Sequence, residues 1–460
     1  MLIGMTTSAW AQPQHLTLDQ AIEMALKNNR EVKIAKLDVE KANAAVKEAF
    51  GYALPSLDVS GNFSHFLEKP KMAFPDFEAM LTNATYNTLF EENVLPRDES
   101  KFLPMTSKLQ SFAQENNYEA SAQVTQILFN SAVIRGIGAS QIYLDLAKVQ
   151  FNDAVSKTSL DVTKAFYGVL LSRDLLDITK SRFENASEHL STIRSMRKQG
   201  LISDFDEMQA EIQVENIRPV IMQMENILLS AENGLKILLN IPQETHLAIS
   251  GSMEYSGDVL SSEQELIAEA LESNMTIKTL KIKRQLDDEF TAIDRGNYWP
   301  TLAAFGNYSY AGSGEGWDFQ NYTSSMVGLT FSINLFQGGR TARKVEQSVI
   351  VAKQTDEQLS TLKDATTAGV TSKLNDLRRV RNLVELMQRN IELAERAYQI
   401  STDRYAEGLG SELEVKDSDV ALSLAKTNYT NSVHDYIIAK AELDNLVGRV
   451  DSKYFQSIEE

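Results

Sequence analysis

Residues 327–340 read Val-Gly-Leu-Thr-Phe-Ser-Ile-Asn-Leu-Phe-Gln-Gly-Gly-Arg, and the spacing of their apolar residues changes after Leu335. Up to Leu335 every second side chain is apolar, and the positions between them carry glycine, threonine, serine or asparagine. A period of two is that of a β-strand. An apolar face opposite a polar face over about ten residues is typical of a strand in a membrane barrel with a wet interior, and also of a half-buried strand in a soluble sheet. We therefore predict a strand near 324–336.

A long helical pattern follows this strand, near 341–407, and a second helix, near 411–447, returns along it. The chain contains no proline after Pro300, and apolar residues recur at every third or fourth position. About 68 helical residues span roughly 100 Å, far more than one globular domain requires. Helices of this length bury an apolar stripe against neighbouring helices. Gly408 lies between the two helices, where glycine permits the left-handed backbone that ends a helix.

The same order of elements occurs twice. Upstream of Pro300 lies a helical pattern at 263–296, and a second alternating segment follows it near 301–310. The first half contains, in chain order, a helix at 18–51, Pro55, alternating segments near 56–66 and 118–129, and helices near 131–199 and 203–240 with Gly200 at the tip between them.

Short sequence matches support this duplication. The ordered matches are Ala25–Asn29 with Ala270–Asn274, Pro55 with Pro300, Gly61–Ser64 with Gly306–Ser309, and Gly200-Leu201 with Gly408-Leu409. Such a series indicates an internal repeat. We predict a first structural repeat at 12–240, a linker at 241–262, a second repeat at 263–447 and a tail at 448–460.

Four strands cannot close a membrane barrel, because small barrels need at least about eight. If the four alternating segments are barrel strands, several copies of the chain must share one barrel. Two copies give eight strands, whose interior fills with side chains, and three copies give twelve, which leaves room for a lumen. A function as a conduit favours three copies.

Composition narrows the possible functions. The 45 basic and 63 acidic residues give a net charge of −18, which argues against nucleic acid, because phosphate backbones are bound through basic patches. The absence of cysteine excludes disulfides, thiolate metal sites and thiol nucleophiles. The five histidines lack metal-ligand spacing, and Gly312–Gly316 is not followed by the lysine of a phosphate loop. We expect no catalytic activity, no cofactor and no metal site.

The first residues have the composition of a secretory signal. A mostly apolar run ends in Ala9-Trp10-Ala11, a small-x-small pattern typical of a cleavage site, and polar residues follow. We predict that residues 1–11 are the remainder of a signal peptide. The alternative is an ordinary disordered N-terminus.

With these elements in order, the chain resembles the TolC family of outer-membrane efflux proteins over about 16–450. The resemblance is carried by the repeated helix–proline–strand units, the strand-to-helix junction Leu335-Phe336-Gln337-Gly338-Gly339-Arg340, and Tyr405-Ala406-Glu407-Gly408 followed by acidic residues. It implies a mainly α fold with a membrane β-barrel portion. The expected assembly is a homotrimer with a twelve-stranded barrel, four strands per chain, on a long α-helical coiled periplasmic tunnel. Segments 241–262 and 448–460 would contribute to a collar around that tunnel.

The resemblance also implies a function. The chain would be a passive export channel of the bacterial outer membrane, extending into the periplasm, for drug or toxin efflux or type I secretion. Its partners would be two further copies, outer-membrane lipid, a periplasmic adaptor and an inner-membrane transporter. The alternative is a soluble helical coiled-coil scaffold or a periplasmic adaptor without a pore, which explains the long helices but not four alternating segments.

Gate residues follow from the same resemblance. Tyr405 takes the place of the family's latch tyrosine and Asp206 that of its acidic partner on the neighbouring hairpin, whereas Gly410 stands where the family has a latch arginine. Glu414 and Asp417 match acidic rings at the tunnel mouth. Because residues three apart share one helix face, threefold symmetry would place six carboxylates around the pore, where they attract cations and repel anions. Without the resemblance, these two residues read as a solvated acidic first turn of a helix.

The segment at 67–117 is unlike its counterpart at 311–322, which joins the two strands of the second half. It contains four prolines and many asparagine, glutamate and phenylalanine residues. We predict either an outward-facing loop that shields the barrel or a disordered spacer.

Overall fold

The structure is a computed structural model that describes residues 15–257 and 261–449. The predicted signal-peptide remnant at 1–11 lies outside the described residues, as do 258–260 of the predicted collar segment and 450–460 of the predicted tail. In chain order the elements are β1 (His15–Leu16), α1 (Leu18–Asn28), α2 (Arg30–Gly51), β2 (Ser56–His65), β3 (Met72–Pro75), α3 (Phe77–Glu91), a 3-10 turn (Glu99–Lys101), β4 (Ser107–Gln110), β5 (Asn116–Phe129), α4 (Ser131–Lys198), α5 (Asp204–Leu239), β6 (Ala248–Ile249), α6 (Glu263–Ser273), α7 (Met275–Gly296), β7 (Thr301–Gly314), β8 (Gln320–Ser332), α8 (Arg340–Ala406) and α9 (Glu412–Val447).

The chain divides into two compact units, and each draws on both halves of the sequence. One unit is mainly helical and consists of the described parts of Met1–Lys47, Gly136–Ala292 and Ala342–Glu460. The other consists of Glu48–Arg135 and Ile293–Thr341 and contains a four-stranded sheet. The prediction of a mainly α fold with a small sheet portion is confirmed.

The sheet has the strand order β2-β5-β7-β8, and all neighbours are antiparallel. One register row crosses all four strands through Ser60, Ser121, Ser309 and Ser324. Its outer pairs form hydrogen bonds between hydroxyl groups, at 2.8 Å for Ser60–Ser121 and 2.7 Å for Ser309–Ser324. The alternation of polar and apolar side chains therefore produces one face of the sheet that carries hydroxyl groups.

The opposite face of β8 carries large apolar side chains that nothing in the described chain covers. Val327 is 86% exposed and Leu329 is 69% exposed. In water such a surface is costly, because roughly 25 cal/mol is lost for each Å² of apolar surface left exposed. β2 and β8 are the two edges of the sheet, and each pairs on one side only within the described residues.

Strand ends differ from the predicted bounds near the turns. β8 ends at Ser332, four residues before the predicted end at 336, because Ser332 pairs with Thr301, the first residue of β7, and the partner strand extends no further. β7 runs on to Gly314, beyond the predicted end at 310, since Ala311–Ser313 pair with the start of β8. β8 accordingly begins at Gln320 rather than 324.

Each half begins with two helices, whereas the sequence predicted one. The breaks lie at Asn29, between α1 and α2, and at Asn274, between α6 and α7. The Asn29 side chain accepts a hydrogen bond from the backbone nitrogen of Glu31 at 2.8 Å and donates one to the carbonyl of Leu238 at 3.0 Å. Asn274 donates equivalently to the carbonyl of Leu446 at 2.9 Å. Each asparagine therefore begins the second helix and ties it to the end of a hairpin.

The long helices form two hairpins, α4–α5 and α8–α9, and each packs on the short helix of its own half. The first core joins α1 to α4 and α5, with Leu26, Val162, Phe166, Leu235 and Leu239 buried. The second joins α6 to α8 and α9, with Ala270, Leu374, Tyr436, Leu443 and Val447 buried. Among the described helices, none combines the length and the apolar character needed to span a bilayer.

The segment at 67–117 folds, so the disordered-spacer prediction is wrong. Asp76 caps α3, its carboxylate accepting from the backbone nitrogens of Glu78 and Ala79, and Lys108 pairs with it at 2.6 Å. The Tyr86 hydroxyl donates to the carbonyl of Pro96 at 2.8 Å. The short strands β3 and β4 pair with each other in an antiparallel ribbon.

Candidate functional site

The tips of the two long hairpins have the same local geometry. Gly200 and Gly408 adopt φ angles of +75° and +73°, which favour glycine because it has no Cβ. After Gly200, Leu201 donates its backbone N–H to the carbonyl of Met196 at 3.1 Å, and after Gly408, Leu409 donates to the carbonyl of Arg404 at 2.8 Å. These bonds satisfy carbonyl groups that a helix end leaves free.

Serine caps the returning helix at each tip. Ser203 caps α5, and its hydroxyl accepts from the backbone nitrogen of Asp206 at 3.2 Å. The Asp206 carboxylate in turn accepts from the backbone nitrogen of Ser203 at 3.2 Å and from its hydroxyl at 2.7 Å. Ser411 caps α9 by accepting from the backbone nitrogen of Glu414 at 3.3 Å. The predicted latch residue Asp206 is therefore also part of a helix cap.

Tyr405 lies near the end of α8 but packs into the other hairpin. It is buried with Leu190 and Ile193 of α4 and with Val214 and Ile217 of α5. The pKa of Tyr405 is raised to about 12. Burial is the largest cause, and the charges of Glu412 and Asp206 follow. Its hydroxyl is buried and has no hydrogen-bond partner among the described residues. The structure thus brings the two predicted latch residues close enough for Asp206 to act through its charge, without a hydrogen bond between them.

Two buried carboxylates on α9 join the hairpins. Glu412 approaches His189 of α4, with 2.6 Å between Oε2 and Nε2, and only 6% of the glutamate side chain is exposed. Asp419 accepts from Arg182 of α4 at 3.0 Å and from Gln213 of α5 at 3.3 Å. Polar links therefore cross from α9 to both helices of the first hairpin.

The predicted acidic-ring residues are solvent-exposed, in contrast to these carboxylates. Glu414 and Asp417 lie in the first turns of α9 on its exposed side. The Arg404 guanidinium lies 3.9 Å from the Glu414 carboxylate and donates to the carbonyl of Leu409 at 3.1 Å. In a single chain both carboxylates are available to a neighbouring copy or to solvent ions.

Gly410 follows the tip of the second hairpin, where the backbone packs closely. A Cβ at this position would lie 3.1 Å from the backbone nitrogen of Tyr405 and 3.3 Å from the carbonyl carbon of Arg404. The Gly410 backbone nitrogen donates to the Arg404 carbonyl at 3.1 Å. A side chain at position 410 would therefore require its neighbours to shift by a few tenths of an ångström.

The residues that join the hairpins were missed at the sequence level, although a signal was present. On α4, Arg182, Ala186, His189 and Ile193 are spaced four, three and four residues apart, and on α9, Glu412, Val415, Asp419 and Leu422 are spaced three, four and three. These are the spacings of a coiled-coil seam, whose positions are normally apolar. Charged residues in such a row indicate a buried polar contact between helices.

The predicted strand-to-helix junction lies in an exposed turn. Leu335 and Phe336 are 88% and 86% exposed, and Gly338 and Gly339 form the turn that precedes α8. Across residues 15–257 and 261–449, the side chains of His, Asp and Glu do not gather in groups of three that could hold a metal ion.

Comparison with known proteins gives one consistent result. The family model described as "Outer membrane efflux protein" matches residues 266–449. The outer-membrane protein TolC of Escherichia coli K12 is 21% identical over 467 aligned positions, which cover 98% of this chain and 86% of that protein.

Solved structures show the same fold. The outer-membrane protein VceC of Vibrio cholerae superposes with a TM-score of 0.69 at 14% identity, covering 94% of this chain and 96% of that one. The Campylobacter jejuni CmeC outer-membrane channel superposes with a TM-score of 0.71 at 15% identity, covering 96% and 88%.

The family model, the curated relatives and the solved structures all describe outer-membrane proteins. They confirm the predicted location in the bacterial outer membrane. The chain is therefore similar to TolC outer-membrane proteins over nearly its whole length, and its residues 266–449 match the outer membrane efflux protein family.

Proposed function

We propose that three copies of this chain form a passive exit duct, with one closed barrel of twelve strands in the outer membrane. In this proposal a periplasmic adaptor and an inner-membrane transporter deliver the substrate, and the chain itself catalyses no reaction. The observation that carries the proposal is the open four-stranded sheet with one apolar face.

The free edges of the sheet support assembly from identical copies. The edge strands β2 and β8 run in opposite directions. β8 of one copy can therefore pair with β2 of the next as another antiparallel neighbour. An unpaired edge in a lipid environment would leave backbone polar groups without partners, at a cost of several kcal/mol for each group. Closure satisfies both edges at once.

Exposed rows of apolar side chains on the long helices also support assembly from identical copies. On α5, Phe205, Met208, Ile212, Met222 and Leu229 share one face and are all more than half exposed. On α8, Leu386, Leu393 and Ile400 are spaced by seven residues and are also at least half exposed. Rows with coiled-coil spacing are normally buried against another helix, and in the proposed trimer neighbouring copies cover them.

The exposed carboxylates Glu414 and Asp417 fit the proposed tunnel mouth. Threefold symmetry places six of them around one opening, where they favour cations and bind multivalent cations that block the passage. Arg404 lies close to Glu414 and partly offsets its charge. Both side chains are exposed in one chain, as a ring formed between copies requires.

Purification in detergent, chemical cross-linking and planar-bilayer recording test the function. We expect a cross-linked trimer and cation-selective channels that millimolar trivalent cations block. The double variant Glu414→Gln with Asp417→Asn should reduce cation selectivity severalfold and abolish the block. Glu392→Gln, an exposed acid on α8, is the matched control and should behave like the unaltered protein.

A chain that fractionates as a water-soluble monomer without detergent would contradict the proposal. So would a trimer that inserts into bilayers but carries no current. Normal selectivity in the double variant would remove only the role of the two acidic residues, because the barrel and the duct do not depend on them.

A further inference from the structure

We propose that the helical unit contains a phosphate-binding site, built on Lys164, Lys373 and Glu442 where α4, α7, α8 and α9 meet. The site is a half-open cavity of about 310 Å³. Its ligand is a phosphate group, carried either by a soluble phosphate or by a lipid headgroup. This inference goes beyond the proposed function and does not depend on it, because binding is measured on the purified chain whether or not it conducts.

One carboxylate on α9 holds two ammonium groups. Oε1 of Glu442 lies 2.5 Å from Nζ of Lys164 on α4, and Oε2 lies 2.5 Å from Nζ of Lys373 on α8. Burial opposes the ionisation of Glu442, but the hydrogen bonds from the two lysines lower its pKa overall. Glu442 is therefore charged at neutral pH, and its single negative charge faces two positive charges.

The cavity as a whole keeps this excess of positive charge. Its other charged lining residues are Lys157 and Asp153, which neutralise each other at 2.6 Å. Three lysines and two carboxylates leave one uncompensated positive charge, although the whole chain has a net charge of −18. An ammonium group has three donors, so Lys164 and Lys373 can each donate to a ligand while they hold Glu442. An anion in the cavity would balance the charge.

The start of α7 supplies further donors to the same cavity. Asn274 caps this helix, and its side chain accepts from the backbone nitrogen of Ile277 at 3.1 Å. The first turn of a helix leaves backbone N–H groups without partners inside the helix, and such groups favour anions. Met275 and Thr276 belong to that turn and line the cavity. They add to the attraction that the lysines provide.

The duplicated fold does not require the charged cluster. α5 and α9 have the same length, and Leu446 at the end of α9 corresponds to Leu238 at the end of α5. Glu442 then corresponds to Gly234, which has no side chain. Because the first hairpin forms with glycine at this position, the packing of a hairpin does not explain the glutamate or the lysines that it holds.

The geometry favours phosphate over a planar carboxylate ligand. The donors come from three directions, with lysines on α4 and α8 and backbone N–H groups at the start of α7. A tetrahedral phosphate has oxygen atoms that point in several directions, so it can accept from all three elements. Lysine binds phosphate as a point charge, without the planar fork by which arginine binds carboxylates.

Isothermal titration calorimetry of the purified full chain in detergent tests the site. The probes are inorganic phosphate and dimethyl phosphate, a soluble analogue of the lipid phosphodiester, each compared with sodium chloride at matched ionic strength. We expect saturable binding of at least one probe. The double variant Lys164→Gln with Lys373→Gln should weaken binding at least about tenfold, because it removes two charge-assisted donors.

Two further variants separate a binding site from a structural salt bridge. Glu442→Gln removes the carboxylate that competes with the ligand for both lysines, so it should tighten binding about tenfold. A purely structural role predicts lower stability for this variant and no gain in affinity. Lys363→Gln removes an exposed lysine elsewhere on α8 and should bind phosphate like the unaltered protein.

Each outcome decides for or against the site. Tighter binding of dimethyl phosphate indicates a lipid headgroup, and tighter binding of inorganic phosphate indicates a soluble ligand. The proposal fails if neither probe binds beyond the chloride control, if the double lysine variant keeps its affinity, or if Glu442→Gln binds no more tightly. Should the double variant not fold, Glu442→Gln and Lys373→Gln alone decide. None of these failures affects the export duct, and a chain that binds phosphate but carries no current would contradict the duct alone.

Discussion

At position 405 a tyrosine ring lies in an apolar cluster formed by both hairpins, while its hydroxyl has no hydrogen-bond partner in the described chain. The ring therefore contributes by packing and the hydroxyl contributes nothing that the structure shows. This differs from a latch in which the tyrosine hydroxyl bonds directly to an acidic partner. Asp206, the predicted partner, uses its carboxylate to cap α5.

We predict opposite results for two replacements of Tyr405. Tyr405→Phe should leave single-channel conductance unchanged, because it keeps the ring and removes only an unpaired hydroxyl. Tyr405→Ala removes a buried ring, at a cost of about 3–5 kcal/mol. Combined with Asp206→Asn, which weakens the cap of α5, it should raise the conductance and the sensitivity of cells to large antibiotics. Equal conductance for all variants would exclude a gate at these residues.

The phenylalanine variant also has a consequence at alkaline pH. The pKa of Tyr405 is raised above its ordinary value of 10 to about 12, so the folded state favours the neutral phenol. Stability from this residue is complete below pH 10 and decreases as the pH rises from 10 towards 12. Thermal unfolding of Tyr405→Phe should therefore lose less stability between pH 9 and pH 11 than that of the unaltered protein.

At the scale of elements, the breaks at Asn29 and Asn274 show how each half is tied together. Each asparagine ends one helix, caps the next and reaches the carbonyl at the end of a hairpin more than 170 residues away in the chain. A continuous helix through these positions would lose those long-range bonds. The same device in both halves is the structural counterpart of the sequence match between 25–29 and 270–274.

Asn29→Ala should lower the free energy of unfolding by about 1–3 kcal/mol, because it removes a cap and leaves the Leu238 carbonyl unsatisfied. Chemical denaturation in detergent measures the difference. Asn28→Ala is the control, since the described hydrogen bond at that residue uses its backbone carbonyl rather than its side chain. Equal losses for both variants would show that the bond to Leu238 adds no stability.

The sequence predicted helices where local pattern alone is sufficient. The first long helix, predicted at 131–199, extends from Ser131 to Lys198, because its apolar spacing and its lack of proline are local properties. The breaks at Asn29 and Asn274 were not predictable, since their cause is a carbonyl far along the chain. The burial of Glu412 and Asp419 was missed for a similar reason. Their charges suggest a solvated helix, and only the facing row on α4 shows otherwise.

At the scale of the whole molecule, one face of the sheet carries hydroxyl groups and the other carries exposed apolar side chains. We predict that Leu329→Arg, on the apolar face of β8, will lower the stability of the membrane-inserted trimer by about 2–4 kcal/mol. The adjacent Thr330→Arg points to the polar face and should be tolerated in assembly while it lowers cation selectivity. The yield of heat-resistant trimer and bilayer recording measure these effects. Equal tolerance of both arginines would contradict the assignment of lipid-facing and lumen-facing sides.

The connection from β2 to β5 is much longer than the connection from β7 to β8. β7 and β8 are joined by residues 315–319 alone, whereas β2 and β5 are joined by a folded segment with its own capped helix and two-stranded ribbon. Lys69 and Asn116, at the two ends of that segment, bond to Glu315 and to the carbonyl of Gly316. The neighbouring connection shows that strands of this sheet need only a short loop. The segment is therefore a natural graft point, where a foreign peptide epitope could replace the native module while the strand register is kept.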